Sequence, residues 1–229
     1  MSVRQDALIT AWSFSRWETY VLCPFKFKCK FMDKLPTPQT PSMARGNQVH
    51  LDLKSYVTGE TQTMPDVVVL PFQRTLVDQI RAFDDKLVEQ QWGFDHNWRE
   101  TGWFDRGPVK TWFRSILDVA LLYEDLVAEV IDWKTGKVYG ENAEQMELFA
   151  LSLMCKFKPA THVITRLVYL DAKAEQIAEY PAADKEALQA KWERKVEPMF
   201  NDRDFIPRPN DKCRFCDFSK SKGGPCRFG

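Results

Sequence analysis

The chain has 229 residues, 32 basic and 32 acidic side chains, a formal net charge of zero, and 44% apolar against 28% charged residues. That length supports one large domain with a buried core, and the charge balance excludes a protein that coats nucleic acid by bulk electrostatics. No apolar run approaches the roughly 18 residues that span a bilayer, and the opening MSVRQDALITAWSFS lacks the features of a signal peptide, so no membrane contact, a cytoplasmic location and reduced cysteines are expected.

In chain order, Ser15-Arg-Trp-Glu18 has capping-box spacing and predicts a helix from Ser15 to Cys23-Pro24, where the proline ends it. Leu35 to Pro41 holds three prolines and reads as a loop, and Ser42 to Val57 as a helix carrying Gly46 and His50 on one face. An amphipathic helix is expected from the spacing of Leu76, Val77, Ile80, Phe83, Leu87 and Val88. Phe94 to Phe104 is expected to be a first strand. Arg114 to Tyr123 and Leu126 to Lys134 are expected to pair antiparallel across Glu124-Asp125. Alternation places Ile116, Asp118, Ala120 and Leu122 on one face, and Ala128, Val130, Asp132 and Lys134 on another. Asn142 to Phe157 reads as a helix with Asn142 as N-cap, followed by strands over His162 to Leu170 and Gln176 to Tyr180 and a helix over Asp184 to Phe200. Residues 201–229 are polar, basic and rich in proline and cysteine.

Asp118 and Asp132 lie in apolar strand runs, where an isolated carboxylate is costly. A divalent ion with oxygen ligands, Mg²⁺ or Mn²⁺, relieves that cost. His50 adds a nitrogen donor that tilts the set towards Mn²⁺. An ion acting as Lewis acid and lowering the pKa of water makes phosphodiester hydrolysis feasible near neutral pH, with Lys134 beside it to orient the water and stabilise the transition state. Alone, Asp-x-Lys describes a surface ion pair. Here it follows an upstream aspartate and a Gly-x-x-x-His, and precedes Gln145-x-x-x-Phe149.

At the other end, Cys213-x-x-Cys216 is close enough to share one centre, and Cys226 follows across Gly223-Gly224, read as flexible. Spacing alone leaves Zn²⁺ and an iron–sulfur cluster open. Cys155, inside an apolar helix, reads as a small buried hydrophobe. Lys26, Lys28, Lys30 and Lys34 near the start, and Arg203, Arg208, Lys212, Arg214, Lys220, Lys222 and Arg227 near the end, merge into one basic surface if the two ends of the chain meet. Taken alone such charge runs read as solvated lysines and arginines; Lys26, Lys28, Lys30 and Arg214 are the candidate contacts if the partner is DNA, which a family resemblance implies.

The order Gly46-x-x-x-His50, Asp118, Asp132-x-Lys134, Gln145-x-x-x-Phe149 resembles the RecB-like branch of the PD-(D/E)XK nucleases. The resemblance implies an α/β fold: a mixed central β-sheet flanked by helices, the restriction-endonuclease-like core. It implies that His50, Asp118, Asp132 and the backbone carbonyl of Trp133 hold the metal, that Lys134 is catalytic with Asp118 and Asp132, and that Gln145 faces DNA. Ser115 and Phe149 depart from the glycine and tyrosine frequent in the family, and neither change removes a ligand. Ser13-x-Ser15, Tyr20-x-x-Cys23-Pro24 and the Phe/Lys-rich stretch after them resemble the iron–sulfur members of the family, the CRISPR-associated exonucleases among them. There an early cysteine, here Cys23, joins three late ones, here Cys213, Cys216 and Cys226, around a 4Fe–4S cluster. The gap before Cys226 is longer than usual.

The expectation is therefore one nuclease domain over 1–229, with a core at 42–200 and a cluster-binding region formed by 1–35 with 201–229. The expected function is a metal-dependent deoxyribonuclease, an exonuclease, acting on single-stranded or frayed DNA. Two alternatives stand beside it: a non-cleaving DNA-end-binding module braced by the cluster, and a zinc-braced interaction protein.

Overall fold

The structure is a computed structural model, and it describes residues 8–124, 127–138, 142–157 and 161–229. Among these residues the strands are β1 (Lys86–Phe94), β2 (Glu100–Thr101), β3 (Phe113–Leu122), β4 (Val127–Lys134), β5 (His162–Tyr169) and β6 (Ala174–Pro181). They form one mixed sheet in the order β2-β1-β3-β4-β5-β6. Every adjacent pair is antiparallel except β4 with β5. A parallel pair needs a long crossover, and helix α5 (Asn142–Lys156) supplies it.

The helices cover both faces. On one, α5 lies between the sheet and a later helix, α6 (Lys185–Asn201). Met146, Leu148, Phe149, Ala150, Leu151 and Leu153 of α5 are all buried, as a helix that is apolar on every side must be. On the other, α3 (Pro41–Val57) and α4 (Pro71–Ala82) place Val49, Leu53, Val77 and Ile80 against Val119, Leu121, Ile131 and Trp133 of the central strands. Thr40 caps α3 by accepting the Met43 N–H at 3.2 Å, and Pro41 follows at the first helical position, where its missing N–H costs nothing.

Helix α1 (Phe14–Leu22) stops at Cys23, extended at φ −163°, and α2 (Pro24–Phe27) starts at the proline. This is the predicted break, since the residue before proline is pushed out of the helical region. Ahead of α1, Trp12 bridges Phe113 in parallel, accepting the Arg114 N–H at 2.9 Å and donating to the Trp112 carbonyl at 2.8 Å. Its indole is fully buried among Trp98, Trp112, Phe113 and Trp192. The tail returns to this region: Tyr20 donates to Asp202 at 2.9 Å, and the Arg208 N–H reaches the Cys23 sulfur at 3.4 Å. Among the described residues, no helix is long and apolar enough to cross a membrane.

Several expectations are corrected. The N-cap of α1 is Ser13, not Ser15, and no side chain caps that end. The amphipathic helix ends at Ala82, and Leu87 and Val88 belong to β1, because Phe83 turns to an extended conformation at ψ 131°. The strand expected over Phe94 to Phe104 is the end of β1 and the short β2, separated by a turn in which Asp95 accepts the N–H groups of Asn97 and Arg99. Ile116 is exposed and does not share the face of Ala120: Leu117 and Ala120 both enter one core, so the alternation changes phase between them. Asp125, half of the expected turn between β3 and β4, lies outside the described residues.

Candidate active site

The site begins where two strands part. The β3–β4 ladder runs from Leu122↔Ala128 to Val119↔Ile131 and stops, while β3 stays paired with β1 as far as Phe94↔Phe113. One step past the last rung, Asp118 and Asp132 face each other in the opening, exposed by only 7% and 5%. The parting frees the backbone N–H of Trp133, and a buried N–H needs an acceptor. Asp118 Oδ2 accepts it at 2.8 Å, and its Oδ1 lies 3.0 Å from Nδ1 of His50 on α3. Trp133 thus contributes its N–H to the arrangement; the metal contact expected of its carbonyl is a proposal.

Lys134 comes from the other side of the fork. Its ammonium is 2.7 Å from Asp132 Oδ2 and donates to Gln145 Oε1 on α5 at 2.8 Å. Asp132 Oδ2 is buried and accepts no well-directed hydrogen bond, even from Lys134. Gln145, three residues past Asn142, does not complete a cap. Asn142 is instead the first residue of α5 and donates to the Tyr169 hydroxyl at 2.7 Å.

The glycine of Gly46-x-x-x-His50 has a packing role. A Cβ on Gly46 stands 3.3 Å from Thr135 Oγ1, so glycine lets α3 approach the end of β4 and carry His50 to Asp118. Arg45 fixes the same helix by a bidentate pair with Asp171, both contacts 2.7 Å, and Asp171 also accepts the Gly136 N–H at 2.9 Å. The Arg45 hydrogen bond holds the Asp171 carboxyl below its usual range.

Sequence reasoning missed Glu89. It is on β1 opposite Asp118, in the left-handed region at φ 51°, and the β1–β3 ladder skips it. His50, Glu89 and Asp118 can each offer a ligand atom within 4.8 Å of the others, so these three can hold a metal ion. The available signal was an acidic residue in the run Leu87-Val88-Glu89, obscured when that run was assigned to the preceding helix.

The electrostatics favour a cation. Burial pushes the Asp132 carboxyl up to about 6, against the opposing pull of Lys134. Burial, then the charge of Asp118, raises Glu89 as well. For His50 burial acts downward, and the Asp118 hydrogen bond with the charges of Asp118, Asp132 and Glu89 outweighs it, so the net shift is upward. Lys134 is likewise lowered by burial but held up, on balance, by Asp132. Three carboxylates face one lysine and one histidine in a poorly hydrated fork. A divalent ion fits the donor set of His50, Glu89 and Asp118, while Asp132, outside that group, has its Oδ2 against the Lys134 ammonium.

A second constellation lies where the chain ends meet. Cys23, Cys213, Cys216 and Cys226 line one hollow, with Phe25 and Phe218 among its walls. Backbone N–H groups of Arg208 and Asn210 point at the sulfurs of Cys23 and Cys213, at 3.4 and 3.3 Å. Four thiols line the hollow and two of them meet N–H donors, but no three of the sulfurs lie within 4.8 Å of one another, so the donor types suit a thiolate centre and the sulfurs are not gathered around a single ion. The Gly223-Gly224 pair is a tight turn, not a flexible hinge: Gly223 is left-handed at φ 75°, and a Cβ on Gly224 would fall 2.3 Å from the Phe218 carbonyl carbon. Cys29 is buried outside the lining, its thiol pushed up by burial to about 11, and Cys155 is buried within α5. Of the basic residues, Lys26 lines the hollow, Lys30 lies over the Phe31 ring and Arg214 over the exposed Phe215 ring. Lys28 is ion-paired with Asp33 at 2.6 Å.

A mixed sheet flanked by helices, split between two central strands by buried carboxylates with a lysine beside them, defines a restriction-endonuclease-like protein. The chain belongs to the PD-(D/E)XK nuclease superfamily, whose family model matches residues 11–221. Among solved structures it is similar to one titled "Crystal structure of SSO0001", at 17% identity and a TM-score of 0.52, over 96% of this chain and 89% of that one. At that identity the likeness is one of fold. A comparison with curated proteins returns no match.

Proposed function

We propose that this chain is a metal-dependent deoxyribonuclease of the RecB-like branch, an exonuclease that hydrolyses DNA at single-stranded or frayed ends and carries a 4Fe–4S cluster. The observation that carries the reading is Lys134, held between Asp132 and Gln145 at the mouth of the carboxylate fork. A site built only to bind an ion structurally has no use for an ammonium there. His50, Glu89, Asp118 and Asp132, with the Trp133 carbonyl, would hold Mg²⁺ or Mn²⁺, which polarises the phosphate and acidifies water. Asp118, fixed by the Trp133 N–H, keeps its carboxylate oriented, and His50 keeps one nitrogen against it. Lys134 would help orient the water and donate hydrogen bonds to the charge that builds on the phosphoryl oxygens. Gln145 limits the motion of Lys134 and faces the approaching DNA.

Cys23, Cys213, Cys216 and Cys226 would hold the cluster, which closes the two chain ends around the nuclease core. Lys26, Lys30 and Arg214 would rim that region against DNA. The test uses Mn²⁺ and end-labelled single-stranded DNA with wild type, Asp118→Asn and Lys134→Ala. Cleavage by wild type alone is expected, and equal cleavage by all three would overturn the reading. DNA binding without cleavage, indifferent to divalent ions, would identify a non-cleaving end-binding module. Zinc without iron or labile sulfide in anaerobically purified protein would remove the cluster.

A further inference from the structure

We infer that a single DNA strand reaches the carboxylate fork through a groove walled by Arg16 and Arg114 and entered past Phe104, Arg106 and Lys110. This inference rests on the nuclease reading above. Two hollows carry it, of about 320 and 760 Å³, and both are lined by Arg16 and Arg114, so these two side chains form their common wall. The smaller hollow extends to Gln145, whose carbonyl oxygen holds Lys134. The larger is bordered by Phe104, Arg106 and Lys110. Together they run from exposed surface to Gln145, one hydrogen bond from Lys134, and the carboxylates of the fork themselves line neither hollow.

The lining suits a polyanion with unpaired bases. Among the described residues, Arg16, Arg106, Lys110 and Arg114 form no ion pair with a carboxylate, and Asp105, which lines the larger hollow beside them, is turned to the Gly102 N–H at 2.6 Å. Arg114 lies 4.7 Å over the Phe104 ring and 5.5 Å over the Trp103 ring, and its buried Nε has no hydrogen-bond partner. Burial first, and then Arg106 for Arg114 and Arg114 for Arg16, lower both guanidinium pKa values, so the arginines bear on one another. Like charges held together without counter-charge are complementary to successive phosphates. Phe104 is 62% exposed, and a base can stack on the ring face away from Arg114. A duplex offers no free base faces to it, which selects a single strand. Lys28, by contrast, spends its charge on Asp33.

The experiment is fluorescence anisotropy of a fluorescein-labelled oligothymidylate, titrated in EDTA at several salt concentrations, with an intact duplex in parallel. Phe104→Ala and the double variant Arg106→Ala/Lys110→Ala change exposed positions. Each is expected to weaken single-strand binding about tenfold, and the double variant to flatten the logarithmic salt slope by about 0.7 per lost phosphate contact. Lys28→Ala is expected to change affinity less than twofold. Unchanged affinity in both groove variants, or duplex bound as tightly as single strand, would overturn the groove. Hydrolysis of bis(p-nitrophenyl) phosphate by the wild type with Mn²⁺ reports the nuclease reading separately, because that small diester needs no groove. Its absence, beside weakened oligonucleotide binding in the variants, would sink the nuclease and leave the groove standing.

Discussion

Glu89 and Asp118 face each other on β1 and β3 at the step the ladder omits, with Val88↔Val119 and Gln90↔Leu117 paired on either side. Glu89 leaves the extended region at φ 51°, and the core-facing alternation of β3 changes phase beside it. A non-glycine residue held there costs on the order of 1 kcal/mol or more, and such strain clusters at functional positions. The twist brings a third carboxylate towards His50, which regular alternation would not do.

Replacing Glu89 with glycine separates strain from binding. Glu89→Gly is expected to keep or raise the melting temperature of the metal-free protein, since glycine adopts positive φ freely. The stabilisation by Mn²⁺ is expected to fall as affinity drops about tenfold, or about 1.4 kcal/mol. Thermal shift with and without Mn²⁺ measures both, and an unaltered Mn²⁺ effect would remove Glu89 from the ligands.

The raised carboxyl of Asp132 and the raised imidazole of His50 set a pH dependence of fixed sign. A folded-state value above the unfolded one gives stability that is present at low pH and lost as pH rises through the folded value. For Asp132 that window lies between its ordinary 3.8 and about 6. This group therefore makes the metal-free protein less stable at pH 7.5 than at pH 5, and Asp132→Asn is expected to flatten the profile. Metal competes with the same protons, so Mn²⁺ affinity by calorimetry should fall as pH drops through 6.

Removing the lysine leaves a buried carboxylate without its counter-charge. Lys134→Ala should destabilise the metal-free protein by about 3 kcal/mol at pH 8, and by less at pH 5, where Asp132 takes up a proton. Mn²⁺ binding should persist while DNA cleavage is lost. Chemical denaturation at the two pH values, with a cleavage assay, tests this; cleavage retained would exclude Lys134 from the chemistry.

The cysteine hollow predicts a division among the thiols. The proposed cluster predicts visible absorbance in anaerobically purified protein, abolished by serine at Cys23, Cys213, Cys216 or Cys226. Serine at Cys155, buried within α5 away from that hollow, should leave it intact. Iron and labile-sulfide analysis gives the same comparison in quantity.

Trp12 tests the packing of the N-terminal segment. It is fully buried and lies 5.7 Å from the stacked Trp192 ring. Trp12→Ala should cost about 3–5 kcal/mol, measured by urea denaturation, and Trp12→Phe much less.

Local signals carried β3 to β6 and most helices, but not β1, whose first residues continue the helical spacing of α4. The β3 and β4 runs and the Cys23-Pro24 break were legible because alternation and proline chemistry act within a few residues. The order His50, Asp118, Asp132, Lys134 and Gln145 is legible through its resemblance to the RecB-like nucleases, and each residue lies on a helix or strand. Glu89 was not, because its contribution depends on a backbone twist that no pattern of residue types announces. Nor was the tight turn at Gly224, which is set by the Phe218 backbone against it. The groove through Arg16 and Arg114 joins residues 98 positions apart, a proximity that exists only once Trp12 has paired along β3.

The contact between Cys23 and Arg208 spans 185 residues. At roughly 5–20 residues per second, a ribosome needs about ten to forty seconds to make the chain between them. Through that interval the early cysteine and the aromatic face of α1 have been synthesised without the segment that covers them. Every strand of the sheet precedes Arg208 in the chain, so the hollow that Cys23 shares with Cys213, Cys216 and Cys226 can close only after all six strands have been made.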